Sequence, residues 1–105
     1  MTSSPLVGLV SHCITTLHRV HDYWQLTFDN GDVLHIYNAN SLEMTEETKL
    51  RTLVGRPVLA VSETSAEIRL ELDILPIRID LSESAFRGPE ALLYLPKSGL
   101  HVVWS

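Results

Sequence analysis

Long apolar runs, paired cysteines and an excess of basic side chains are all missing from this sequence. No apolar run approaches the roughly 20 residues that span a bilayer, so no membrane partner is expected. Cys13 is the single cysteine, which excludes an internal disulfide and fits a reducing compartment. Eight Lys and Arg against thirteen Asp and Glu give a net charge of −5, which disfavours nucleic acid and favours basic partners.

The length and the first ten residues predict one cytoplasmic domain. A chain of 105 residues can bury one modest core, so we expect a single domain over residues 1–105. The segment MTSSPLVGLV has no basic region of the kind that begins a signal peptide. We therefore expect the protein to stay in the cytoplasm.

Residues 68–81, IRLELDILPIRIDL, alternate apolar and charged side chains with the period of half-buried strands. We expect a hairpin in which Leu72 lies opposite Ile77. The same register pairs apolar residues with one another and charged residues with opposite charges. The expected pairs are Leu70 with Ile79, Ile68 with Leu81, Glu71 with Arg78, and Arg69 with Asp80.

Residues 28–38, FDNGDVLHIYN, predict a second hairpin around the Asp29–Asp32 turn. A two-residue turn would split the apolar residues between the two faces of the sheet. A longer, bulged turn with Gly31 at positive φ instead sets Phe28 opposite Leu34. It gathers the apolar residues Trp24, Leu26, Phe28, Leu34 and Ile36 on one face, and Gln25, Thr27, His35 and Tyr37 on the other.

The same turn is a poor calcium loop. An EF-hand loop ends in a bidentate Glu at its twelfth position, and counting from Asp29 that position is Asn40. Leu34 occupies the sixth position, where the loop requires glycine. We therefore interpret the DNG sequence as a turn.

The rest of the chain predicts further strands and a single helix. The segment LVGLVSHCITTLHRV favours a first long strand that turns at His21-Asp22. TEETKLRTLVGRP predicts a helix capped by Thr45, with a stripe of Leu50, Leu53 and Val54, and ended by Gly55 and Pro57. VLAVSE predicts a strand, and ALLYLPKSGLHVVW predicts a terminal hairpin.

The residues that could carry chemistry fit structural roles better. A structural zinc site needs about four converging ligands, but only His18 and His21 form a close pair, so we expect no metal and no cofactor. Cys13 lies in an apolar strand, where cysteine is usually a small buried hydrophobe. The sequence contains no phosphate-binding loop and no serine elbow. We therefore expect no enzymatic activity, and a small-ligand or metal binder using the histidines ranks last.

Two features predict a protein partner. Tyr23 and Tyr37 fall on the polar side of the first hairpin, where large rings often belong to contact surfaces. The C-terminal HVVWS carries no charge, so we expect this strand to be able to pair with a second copy of the chain, as a homodimer, if it lies at a sheet edge.

Residues 79–104, IDLSESAFRGPEALLYLPKSGLHVVW, resemble short bacterial proteins that carry a GPEA element between an isoleucine-rich strand and a terminal hairpin. The proportions of the chain are also similar to immunity proteins of bacterial toxin systems, including contact-dependent growth inhibition. That resemblance implies an inhibitor that stays in the producing cell and masks a toxin, often a nuclease with a basic surface. Gly88-Pro89 is most simply a rigid turn, with Glu90 beside it.

Such immunity proteins vary at their contact residues, so the contact candidates are chosen by chemistry instead. We expect exposed acidic and aromatic side chains to meet the toxin. These candidates are Asp29, Asp32, Tyr37, Glu43, Glu46, Glu47 and Glu71.

The sequence as a whole predicts an α+β fold of about eight antiparallel strands in hairpins, with one helix packed on a sheet face. The leading functional hypothesis is an immunity protein that neutralises a cognate toxin. The alternative is a small cytoplasmic homodimer without a toxin partner.

Overall fold

The computed structural model describes residues 4–105 and confirms the predicted α+β class. Within that range the chain forms eight strands, one α-helix and three short 3-10 helices. The strands are β1 Ile14–Val20, β2 Tyr23–Phe28, β3 Val33–Ile36, β4 Ala60–Glu63, β5 Glu67–Glu71, β6 Ile77–Asp80, β7 Leu92–Leu95 and β8 Val102–Trp104. Helix α1 spans Glu47–Leu53, and the 3-10 helices span Pro5–Leu9, Ser41–Met44 and Glu83–Ala85.

The strands form two antiparallel sheets that share one core. The first has five strands in the order β1-β2-β3-β7-β8, and the second has three in the order β4-β5-β6. Each sheet turns one apolar face inward, so Leu26, Phe28 and Leu34 belong to the same buried cluster as Ile68 and Leu70. None of the helices found in residues 4–105 has the length and apolar character needed to cross a bilayer.

The predicted first strand is too long at its N-terminal end. Residues Pro5–Leu9 form a 3-10 helix, in which Pro5 occupies the first turn and the Ser4 side chain accepts a hydrogen bond from the Leu6 amide. Proline lacks an amide hydrogen and fits the first turn of a helix, so this segment starts as a helix despite its strand-like composition. Strand β1 begins only at Ile14, and it turns into β2 at His21-Asp22 as predicted.

The β2–β3 hairpin has the predicted faces but a different register. Leu26 lies opposite Leu34 rather than Ile36, and the Phe28 amide donates to the Asp32 carbonyl at 2.9 Å. The turn is therefore two residues tighter than predicted. Gly31 adopts the expected positive φ of 90°, which closes this short turn without steric strain.

A shift of two residues keeps every side chain on its predicted face, because side chains alternate along a strand. The apolar set of this hairpin is accordingly buried, as expected. The buried residues are Trp24, Leu26, Phe28, Leu34 and Ile36.

The β5–β6 hairpin also differs from the prediction by two residues. Leu70 lies opposite Ile77, and Ile68 lies opposite Ile79. Leu72 is 5% exposed and packs into the core, so the chain leaves the strand at that point instead of continuing the ladder. Pro76, which cannot donate to a ladder, remains in the connection.

This register makes the predicted charge pairing wrong. Arg69 faces Arg78, and Glu67 faces Asp80, so like charges lie directly opposite one another. The two arginines bond to carboxylates along and across the sheet instead. Arg69 binds Glu71 on its own strand, and Arg78 binds Glu67 at 3.3 Å.

Helix α1 is shorter than predicted and is not capped by Thr45. It starts after Glu46, whose side chain makes no capping bond, while the Thr45 hydroxyl donates to the Ser41 carbonyl at 2.7 Å. The helix packs next to β1 and buries Leu53, but Val54 remains 42% exposed. Gly55, with a φ of 89°, follows the end of the helix as expected.

The predicted strand at VLAVSE and the terminal hairpin are confirmed as β4 and as the β7–β8 pair. Strand β7 pairs with β3, which brings the last hairpin beside the first one. Strand β8 consequently lies at the edge of the five-stranded sheet.

A buried carboxylate joins these two hairpins. Asp32 is 6% exposed; it accepts hydrogen bonds from the Tyr94 hydroxyl at 2.5 Å and from the Lys97 amide at 2.9 Å. Burial alone would raise the pKa of Asp32, but the bonds from Tyr94, Lys97 and Asn30 outweigh it and lower the pKa below its ordinary value. A carboxyl group whose pKa is lower in the folded state than in the unfolded state stabilises the fold at pH values above the unfolded-state pKa. That stabilisation is lost as the pH falls through the folded-state pKa.

Tyr94→Phe should lower the free energy of unfolding at neutral pH by about 1–3 kcal/mol, because the buried Asp32 carboxylate loses a donor. The difference from the parent protein should shrink in acid, as Asp32 becomes protonated in both. Urea unfolding at pH 7 and pH 3 measures both effects. Tyr23→Phe is the control, since no hydrogen bond of the Tyr23 hydroxyl is found in residues 4–105; an equal loss in both variants would contradict this role for Asp32.

Candidate functional site

The outward surface of the five-stranded sheet carries no formally charged side chain. Alternation along the strands turns one residue in two away from the core, and the strand register aligns these residues in rows. We call this surface the outer sheet face. Its members are Thr16, His18, Val20, Tyr23, Gln25, Thr27, Val33, His35, Tyr37, Leu93, Leu95 and Val103.

The outward surface of the three-stranded sheet has the opposite character. It presents alternating acidic and basic side chains that bond to one another, including the Arg69–Glu71 and Arg78–Glu67 pairs. Charged residues keep a sheet face solvated, whereas an uncharged face with aromatic and aliphatic side chains resembles the core of a protein interface. Of the two outward sheet surfaces in residues 4–105, the outer sheet face is therefore the one with the composition of a contact surface.

Three rings cluster on the outer sheet face. Tyr23 and His35 have ring centroids 5.1 Å apart, Tyr23 and Tyr37 are 5.2 Å apart, and His35 meets Tyr37 edge-on at 6.1 Å. The Nδ1 atom of His35 lies 3.2 Å from the Tyr37 hydroxyl. Partial burial lowers the pKa of His35, so the ring is neutral over a wider pH range than a solvated histidine.

A cleft of about 220 Å³ adjoins this cluster at the end of the sheet. Tyr37 forms one side of it, Asp22 from the β1–β2 turn another, and the segment Arg87–Glu90 the rest. The Tyr37 amide donates to the Ala91 carbonyl at 2.9 Å, which holds this segment against the ring. Burial, followed by the charge of Glu90 and the neighbouring Tyr23, raises the pKa of Tyr37.

Arg87 is positioned in this cleft by Glu43. Its two terminal nitrogens donate to the two carboxylate oxygens of Glu43 at 2.6 and 2.7 Å, a bidentate geometry that specifies both side chains. The bonds from Arg87 lower the pKa of Glu43. Glu43 likewise raises the pKa of Arg87, to which Asp22 adds a smaller contribution.

The carboxylates around the cleft are therefore not equivalent. Glu43 is already engaged by Arg87, whereas Asp22 and Glu90 have no ion-pair partner among residues 4–105. The cleft and its surroundings thus keep an excess of negative charge beside an uncharged face.

The structure brings together only two of the predicted contact residues. Tyr37 lines the cleft, and Glu43 binds Arg87, which also lines the cleft. The prediction that Asp32 is exposed is wrong. Its carboxylate is buried, where it accepts hydrogen bonds from the Tyr94 hydroxyl and the Lys97 amide.

The four remaining candidates lie apart from the outer sheet face. Asp29, in the β2–β3 turn, accepts from the Cys13 amide at 3.1 Å and contacts His12 Nδ1 at 2.8 Å. Those contacts, led by the Cys13 amide, lower the pKa of Asp29. The other three are Glu46, just before α1, Glu47, at its first residue, and Glu71, in β5. Glu46 is exposed, Glu47 binds Arg51, and Glu71 binds Arg69.

Four residues of the outer sheet face and the cleft are not among the contact candidates chosen from the sequence. Leu93 and Val103 lie on the outer sheet face, and Arg87 and Asp22 line the cleft. The period-two pattern of the terminal hairpin indicates that Leu93 and Val103 point outward, because each is next to a residue on the inward face, Leu92 or Trp104. No local pattern signals the cleft, since its parts are distant in sequence.

No metal centre is found in the part of the chain that the structure describes, since no three His, Cys, Asp or Glu side chains converge there. The chain matches no protein-family model, no curated protein and no solved structure. The outer sheet face and the cleft are therefore the features that bear on function.

Arg87→Gln should raise the pKa of Glu43 towards its ordinary value of 4.5, because the two bonds that favour the ionised carboxylate are lost. The accompanying loss of stability should be small, about 1 kcal/mol or less, since the Arg87 side chain is 40% exposed. Carboxyl carbon NMR titration measures the pKa. Arg51→Gln, which breaks the exposed pair with Glu47, should leave Glu43 unchanged; a Glu43 pKa that does not move in Arg87→Gln would refute the coupling.

Proposed function

We propose that this chain is a non-enzymatic protein-binding module that neutralises a cognate bacterial toxin inside the producing cell. The observation that carries the proposal is the uncharged outer sheet face, which lies beside a cleft with excess negative charge. The partner is a protein with a basic region next to an apolar patch.

The composition of the outer sheet face supports a protein as the ligand. Contact surfaces are depleted of charge at their centre, enriched in tyrosine, and surrounded by a polar rim. Here Tyr23, Tyr37 and Leu93 provide the centre. The face is the outward surface of a sheet and not a cavity, which suits a protein better than a small ligand, because small ligands require concave pockets.

The charges at the rim support a basic partner. Asp22 and Glu90 are free of ion pairs within residues 4–105, so they are available to a Lys or Arg of another protein. The net charge of −5 adds a long-range attraction that accelerates the encounter with such a partner. A toxic nuclease has this kind of surface, which connects the charge with the resemblance to immunity proteins.

Leu93→Asp should weaken binding to the toxin about tenfold or more, because a charge would be buried at the centre of the contact. The matched control is Ser62→Asp, which places the same charge on the outward surface of the three-stranded sheet, opposite Arg69. The toxin to test is the product of the reading frame adjacent to this gene. Calorimetry measures the affinity, and survival of cells that co-express both proteins measures neutralisation.

Parent protein and Ser62→Asp should protect the cells equally, and Leu93→Asp should protect them less. Affinity should also fall as salt rises, because the rim charges are screened. If the protein does not bind the adjacent gene product, the proposal is refuted. The predicted alternative, a small homodimer that has no toxin partner, then remains. Equal weakening by both variants would show that the outer sheet face is not the contact.

A further inference from the structure

Strand β8 ends the five-stranded sheet without the usual protection of an edge. Within residues 4–105 its one strand neighbour is β7. An edge strand exposes unpaired amide and carbonyl groups, and proteins commonly protect it with charge, proline or a bulge. Strand β8 is Val-Val-Trp and has none of these.

The other three edges of the described sheets are protected. Strand β1 carries Arg19 and an irregularity in its register. Strand β6 is engaged by the chain after β3, since the Asp80 amide donates to the Ala39 carbonyl at 3.0 Å. Strand β4 carries the charged Glu63, and the carbonyl of Val58 just before it accepts a hydrogen bond from the Ser11 amide at 2.8 Å.

Apolar side chains are exposed around this unprotected edge. Val103 is 48% exposed and Leu100 is 90% exposed. Val103 lies opposite Leu93, so the apolar part of the outer sheet face continues to the edge itself. A strand of three residues offers few main-chain bonds, and an added strand therefore needs these side chains for stability.

We propose that β8 pairs antiparallel with β8 of a second copy of this chain, about a two-fold axis near Val103. A second copy is the occupant because β8 is complementary to itself: it is apolar on both faces and carries no charge to repel its own image. The row of His35, Leu93 and Val103 then continues into the second copy, and the two outer sheet faces become one surface. This assembly is separate from toxin binding and does not require it.

Sedimentation equilibrium tests the assembly. The parent protein should show a mass that rises with concentration from 11.8 kDa towards twice that value. Val103→Lys should remain at the monomer mass, since lysine protects a strand edge. Thr16→Lys, which places the same charge on β1 at the opposite edge, should behave like the parent protein. A parent protein that is monomeric at every concentration, or a Val103→Lys variant that still dimerises, would overturn the proposal.

Disulfide trapping tests the register. In a Cys13→Ser background, Val103→Cys should form a covalent dimer on oxidation, because directly opposed Cβ atoms lie about 4.5–5.5 Å apart. Leu93→Cys in the same background should not, since three strand spacings, about 14 Å, would separate the two sulfurs. Trapping through Leu93→Cys, or none through Val103→Cys, would overturn pairing about Val103. Neither result would affect the toxin proposal, which depends on the adjacent gene product.

Discussion

The buried carboxylate of Asp32 determines how the first and last hairpins meet. Removing a carboxylate from water is costly unless donors replace the water, and here the donors are the Tyr94 hydroxyl and the Lys97 amide. Both belong to the terminal hairpin, so the carboxylate is satisfied only when β3 and β7 are correctly aligned. The outer sheet face exists because of this alignment, which places Leu93 beside His35.

The outward surfaces of the two sheets differ in composition. The three-stranded sheet presents bonded charges such as Arg78 and Glu67, and these keep it solvated. The five-stranded sheet presents tyrosine, histidine and aliphatic side chains that a soluble protein usually covers with a partner. Because successive side chains of a strand point to opposite faces of its sheet, the residues of each outward surface can differ without any change to the core that the sheets share.

The cleft illustrates how distant segments combine into a candidate site. Glu43 and Arg87 are 44 residues apart, yet their bidentate contact sets the position of the segment that faces Tyr37. That segment includes Gly88 and Pro89, which the sequence predicts to be a rigid turn, and Glu90 beside them. The chain bends at residues 87–89, and Glu90 lies close enough to Tyr37 for its charge to raise the pKa of that side chain.

The sequence by itself determined the class of fold, the faces of the hairpins and the positive φ of Gly31, because period-two alternation and turn chemistry are local. Only the tertiary structure decided the registers, since a shift of two residues preserves every face and depends on where Leu72 packs and where Phe28 meets Asp32. It also decided that Pro5–Leu9 is helical, that Asp32 is buried, and that Arg87 reaches Glu43. Those outcomes depend on contacts between residues far apart in the chain, whose energies no local pattern contains.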